Sequence, residues 1–217
     1  MDTTVATLFT SLHGKWYIHR STLPLWLAGD KRSPTLNYTY APDDGSPTKP
    51  TTLKDCVRYK SKPWCPAWLS SSPAASSEYS VENTINGTNT ATNAANGELL
   101  WRGDGLLTLI TSAWRVVLQE EIEVEATPDE EGGVMHQPED TVTGKDEQTR
   151  PQPQQKRKVQ VAVISFGKTM FTPEGLDVIS KGREGLSADV AGRLLAAAAA
   201  RDEVCHRVAR LAQVVLQ

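Results

Sequence analysis

Apolar and polar residues alternate along much of the chain with the two-residue period of strands that bury one face. In residues 35–41, Leu36, Tyr38 and Tyr40 share one face while Thr35, Asn37 and Thr39 share the other. In residues 52–60, Leu53, Asp55, Val57 and Tyr59 lie opposite Lys54 and Arg58. Segments 14–21, 98–102, 106–124 and 159–169 are also rich in aromatic and β-branched residues, the types that suit a pleated surface. The last of these is apolar on both faces, with Val159, Val161 and Val163 on one and Ala162, Ile164 and Phe166 on the other, which predicts a strand covered from two sides. Turn signals at Asp43-Asp44-Gly45, Gly103-Asp104-Gly105 and Thr172-Pro173-Glu174-Gly175 punctuate the series, the second tight enough for a hairpin. Strands that follow one another without intervening helices pair antiparallel.

The period changes near the C-terminus. Val190, Leu194, Ala197, Arg201, Val204, Val208, Leu211 and Val215 recur at four- and three-residue spacing behind Ser187, a good N-cap, with Asp189 in the first turn. This predicts a long helix laid across the outside of the sheet. The same stripe could instead serve as the seam of a homodimer, since its spacing is also that of a short coiled coil.

Two stretches break the pattern. Residues 69–97 are dominated by Ser, Ala, Asn and Thr, and residues 126–158 are polar and highly charged. Neither offers enough apolar surface to offset the entropy of ordering, so both are expected as flexible insertions in a single domain spanning residues 1–217, with 79–81 a short strand at most. The net charge of −3 has a local origin: residues 120–158 carry 11 acids and 5 bases, leaving 18 bases against 15 acids elsewhere. The overall acidity therefore does not describe the folded part. The longest uninterrupted apolar run, 194–200, has seven residues, too few for a membrane-spanning helix. The start lacks a basic segment followed by an apolar one, and the three cysteines Cys56, Cys65 and Cys205 are odd in number and far apart. These features favour a cytoplasmic protein with reduced thiols and no membrane partner.

Several chemistries fail at the motif level. Gly167-Lys168-Thr169 ends like a phosphate-binding loop, but Ala162 stands where its first glycine belongs, and a strand precedes it. Cys205-His206 has no further ligands at metal spacing, and no Gly-x-Ser-x-Gly elbow is present. Lys156-Arg157-Lys158 is too short a basic run to predict a nucleic-acid partner. No metal or cofactor is expected.

Gly14-Lys15-Trp16, after the apolar lead-in Leu8, Phe9 and Leu12, resembles the Gly-x-Trp opening of lipocalin-like (calycin) β-barrels. The continuation Ser21-Thr22-Leu23-Pro24-Leu25-Trp26, with residues 35–39, looks like the intracellular lipocalin-like proteins of fungal secondary metabolism, some of which act as pericyclases, including hetero-Diels–Alder enzymes. The chain departs from secreted lipocalins in lacking a signal sequence and a disulfide pair. The resemblance implies a mainly β fold: an antiparallel barrel of about eight strands with a C-terminal helix packed outside. It also implies an intracellular protein that encloses a hydrophobic small molecule and guides its cyclisation without a cofactor, or else a noncatalytic carrier of such a ligand.

Candidate residues follow from the facing of the strands. Trp16, Trp26, Trp101 and Trp114 would line a cavity or simply fill a core, and Trp26 lies in an apolar loop that suits a lid over a barrel mouth. With Trp16 inward, strict alternation turns Ile18 and Arg20 inward too, and Arg20 then needs Asp55 or a ligand oxygen as partner. A bulge would reverse this and offer His19 as the acid or base. Tyr38 and Tyr59 are hydroxyl donors on the presumed inner faces, able to polarise a carbonyl or to be buried and satisfied. Ser165, Lys168, Met170 and Phe171 would form the opposite rim, while of Trp101-Arg102 and Trp114-Arg115 one member each can face inward.

Overall fold

The computed structural model describes residues 3–40, 52–62, 79, 81–125, 156–169 and 172–215. Its elements run α1 (Thr3–Leu12), β1 (Gly14–Ser21), α2 (Pro24–Leu27), β2 (Lys31–Tyr40), β3 (Leu53–Ser61), β4 (Val81–Asn93), β5 (Glu98–Gly103), β6 (Thr111–Glu125), β7 (Lys156–Phe166), β8 (Gly175–Ser180), α3 (Ala188–Ala199), α4 (Glu203–Val208) and β9 (Gln213–Val214). From β2 to β8 each strand pairs with its successor, β8 pairs with β1, and β1 pairs with β2. All these pairings are antiparallel, so eight strands close into an up-and-down barrel, the lipocalin-like architecture, and β9 adds to the edge of β1.

Two cores follow from the closure. Inside, Trp16, Ile18, Leu36, Leu53, Val57, Leu99, Ala162, Ile164 and Ile179 pack together. α1 seals the end at which β1 begins: Phe9 and Leu12 are fully buried in the same cluster, and the Trp16 indole N–H donates to the Leu12 carbonyl at 2.7 Å. Outside, Leu118, Val161, Val163, Leu176 and Val178 of β6–β8 meet Leu194 and Ala198 of α3 and Cys205 and Val208 of α4. β7 is thus covered on both faces, which is why it reads as a continuous apolar run. No helix among the described residues is long and apolar enough to cross a membrane.

Three expectations change. The polar stretch 69–97, expected as a loop, contains the 13-residue strand β4, paired to β3 along its first half and to β5 along its second. Thr84, Asn86, Thr90 and Thr92 face water, Gly87 and Asn89 turn inward and are buried, and neighbouring strands supply most of the apolar burial. Residues 69–78 and 126–155 lie outside the described residues, and 156–158 belong to β7. The C-terminal stripe is not one helix either: α3 ends at Ala199, and Asp202 starts α4 by accepting the Cys205 backbone N–H at 2.8 Å. Ser187 does cap α3, accepting from Val190 N at 3.3 Å. A seam between two copies would need the same Leu194 and Val208 that the sheet already buries.

Candidate functional site

The facing of β1 decides what the barrel encloses. Trp16 and Ile18 point inward, but the pairing with β8 shifts between Ile18 and Arg20, so that Ile18 lies opposite Ile179 and Arg20 opposite Val178. Cross-strand partners share a face, and Val178 belongs to the cluster under α3 and α4. Arg20 is therefore on the outer wall and Ser21 on the inner, contrary to strict alternation, and the expected Arg20–Asp55 pair does not form. His19, the extra residue of the bulge, is also directed away from the interior. It is buried against the Ser180 hydroxyl at 2.8 Å and the Gly182 carbonyl at 3.2 Å, and burial pulls its pKa below the usual value.

With Arg20 outside, the interior keeps acids with no internal base among the described residues. Asp55 on β3 and Asp177 on β8 are buried, and among the described residues neither forms an ion pair with a lysine or arginine. Asp177 accepts the Ser21 hydroxyl at 2.5 Å, with the Trp26 indole beside it also favouring its charged form. Asp55 has less help: Trp101 lies near enough to lower its pKa somewhat, but neither Asp55 Oδ1 nor Trp101 Nε1 has a hydrogen bond of good geometry. Loss of water outweighs these contacts and lifts both carboxyls from 3.8 to about 7. Each can then hold or release a proton near neutrality, the property acid–base work needs.

Aromatic rings surround this pair. Tyr38 is buried, its phenol pushed well above the usual range by desolvation and by the charges of Asp55 and Asp177, so it stays protonated. It stacks on Trp114 at 5.9 Å and 14°, and Trp114 stacks on Phe166 at 6.4 Å, a contact that spans the barrel from β2 to β7. Asn89, fully buried, fixes Trp114 by accepting its indole N–H at 2.7 Å. Trp101 lies over Gly87, where an added Cβ would stand 2.2 Å from Nε1, so only glycine leaves room for the ring beside Asp55.

Trp26 caps the other end. The loop expected around it is a one-turn helix, α2, and its indole is buried rather than exposed, meeting Tyr59 edge-on at 5.8 Å. Lys31 stands at this rim, 5.8 Å from the Tyr59 ring and 2.6 Å from Asp30. Ser165 lies opposite Leu176 and hence on the outer wall, and Arg115 beside it pairs with Asp202. Met170 and Phe171 lie outside the described residues. Grooves of about 600, 420 and 250 Å³ lie beside α1, beside α4 and on the outer wall of β5–β7, and none is lined by Tyr38, Asp55, Trp101 or Asp177.

The sequence pointed to Trp16, Trp26, Tyr38, Asp55, Tyr59, Trp101 and Trp114, all of which lie on the interior side or at its mouth. It missed Ser21, Gly87, Asn89 and Asp177. The signal for Asp177 was present: it is an acid between the apolar Leu176 and Val178.

No family model matches the chain, and no curated protein matches it. Among solved structures, it is similar to the siderocalin Ex-FABP, described as functioning through dual ligand specificities, at 14% identity and a TM-score of 0.42, covering 95% of each chain. It is also similar to apocrustacyanin C2 and apocrustacyanin C1, each at 8% identity over 98% of this chain and 84% of the other, with TM-scores of 0.45 and 0.43. The strand pairing itself defines the fold.

Proposed function

We propose that the barrel encloses a small, largely apolar molecule between the Trp26–Tyr59 cap and the Tyr38–Trp114 stack, and guides its cyclisation. The observation that carries this reading is the pair of buried carboxyls poised near neutrality inside an aromatic wall, with one oxygen, Asp55 Oδ1, left without a protein partner. A buried acceptor without a donor is costly unless something else supplies one. The aromatic wall would hold one reactive conformer. Asp177 or Asp55, in its protonated form, would donate a hydrogen bond to a substrate carbonyl as charge develops there, and recover it when the ring has closed. Such a ring closure of the hetero-Diels–Alder type moves electrons within the substrate and needs no cofactor. Entry requires Trp26 and Tyr59 to part, and α2 suits this because it is a single turn with no side-chain cap at its start. The free thiols Cys56 and Cys205 fit a cytoplasmic setting for such a pathway enzyme.

Incubation with a polyene or quinone-methide precursor, followed by chiral separation of the products, tests the proposal. A product ratio moved from the spontaneous one is expected, with a rate that falls by roughly a hundredfold in Asp177→Asn. A second reading, a noncatalytic carrier, is favoured by the closed cap and the tight stack at the waist. It predicts a ligand-dependent rise in melting temperature with products indistinguishable from the uncatalysed mixture.

A further inference from the structure

We propose that the mouth end of the barrel docks on an anionic lipid bilayer, with Leu106 and Leu109 entering the boundary between headgroups and acyl chains and Arg32, Lys60 and Lys62 meeting the headgroups. This goes beyond the proposed function and does not rest on it. α1 seals the end at which β1 begins, and in an up-and-down barrel the connections after β1, β3, β5 and β7 gather at the opposite end. The connection after β5 carries the two most exposed large apolar side chains among the described residues, Leu106 at 103% and Leu109 at 96%. Its turn is held by its own hydrogen bonds: Leu107 N donates to the Asp104 carbonyl at 3.1 Å, Ile110 N to the Leu107 carbonyl at 2.8 Å, and Gly103 N to the Ile110 carbonyl at 3.1 Å. Asp104 N donates to the Asn86 carbonyl at 2.9 Å, and both the amide and the hydroxyl of Thr108 donate to the Gly105 carbonyl. Leu107 folds back against Gly103, where an added Cβ would stand 2.4 Å from its own. A built turn thus holds the other two leucines out in water, and with most of its amides paired it can leave water at little cost.

The charges at this end choose the occupant. Lys31 is engaged by Asp30, Glu174 by Arg207, and Glu82 lies 3.8 Å from Arg58. Arg32, Lys60 and Lys62 are exposed, and none forms an ion pair with a carboxylate among the described residues. Against these three cations stands Asp104, the acid of the turn itself. Arg32 and Lys62 lie 4.3 and 5.3 Å from the ring of Tyr79, whose hydroxyl donates to the Gly29 carbonyl behind α2 at 2.6 Å. Exposed leucines, a rim tyrosine and unengaged cations are the three things a bilayer surface takes: acyl chains receive the first, the boundary layer the second and anionic headgroups the third. A second copy meeting this tip would instead set the same cations against one another. The expectation of no membrane partner was drawn from the lack of a spanning run, which does not bear on a peripheral contact.

Flotation of the full chain with lipid vesicles tests this. Binding to phosphatidylcholine vesicles that contain about a third phosphatidylserine is expected to be at least tenfold tighter than to phosphatidylcholine alone, and the difference should vanish in about 0.5 M NaCl. Leu106→Glu combined with Leu109→Glu should abolish flotation, and Lys60→Gln combined with Lys62→Gln should weaken it about tenfold. Leu211→Glu, at an exposed apolar position after α4, should leave it unchanged. Leu106→Trp gives a reading independent of these losses: brominated acyl chains should quench the added emission. Failure to float at about 1 mM lipid, equal binding to neutral and anionic vesicles, or flotation that survives both glutamate substitutions overturns the inference. So does self-association of the wild type in sedimentation velocity that the same pair of substitutions abolishes, which makes a second copy the occupant.

Discussion

Two carboxyls that lose their water on folding tie the stability of the protein to pH. Asp55 and Asp177 ionise near 7 in the folded chain against 3.8 when unfolded. Between those values the folded chain binds more protons, so stability falls as pH rises and levels off once both are ionised. Raising a pKa by one costs about 1.4 kcal/mol once the group is ionised, so each carboxyl costs a few kcal/mol at pH 8. His19 acts in the other sense: its lowered pKa makes its contribution complete above 6.5 and lost as pH falls through the folded value. The melting temperature should therefore decline from pH 5 to pH 8, and Asp55→Asn should raise it at pH 8 by roughly 5–10 °C while flattening the profile. A flat wild-type profile in differential scanning calorimetry would mean that the two carboxyls keep their water. At this scale the sequence was legible where alternation is regular: Asp55 falls on the inner face with Leu53 and Val57, as its spacing says. It was illegible at Arg20 and Ser21, because a bulge leaves no mark in the residue types yet reverses every facing beyond it.

Among the elements, α4 shows how a short helix is held. Asp202 accepts the Cys205 N–H at 2.8 Å and also pairs with Arg115 of β6, so one side chain both caps the helix and ties it to the barrel. Asp202→Ala should cost about 2 kcal/mol, roughly 1 for the cap and the rest for the partly buried pair. Asp202→Asn, which keeps the cap, should cost less than half as much, read from urea midpoints. The sequence obscured this break because Val204 and Val208 continue the spacing of α3, and period alone cannot register that the axis turns at Asp202. β4 and β8 were obscured for opposite reasons. β4 is too polar to advertise burial, since its partners provide it, and β8 is so short and uniformly buried that it shows no alternation.

For the molecule as a whole, the barrel depends on a plug as much as on its wall. Phe9 and Leu12 have no exposure, and without them the end beneath Trp16 opens to water. Phe9→Ala should cost about 3–5 kcal/mol by denaturant unfolding, the range for a large ring lost from a packed interior. A cost below about 1 kcal/mol would mean that α1 is an appendage. The architecture was readable from the succession of strands and the Gly14-Lys15-Trp16 opening, whereas the content of the interior depended on which way single residues turn.

The kink at His19 carries that point furthest. Were β1 to run straight beyond Ile18, the same amino acids would present Arg20 to Asp177 in place of Ser21. The interior would then hold an internal salt, electrically balanced. Whether the buried acid meets a base or a hydroxyl is thus a question of parity, settled by one residue standing out of step in the wall.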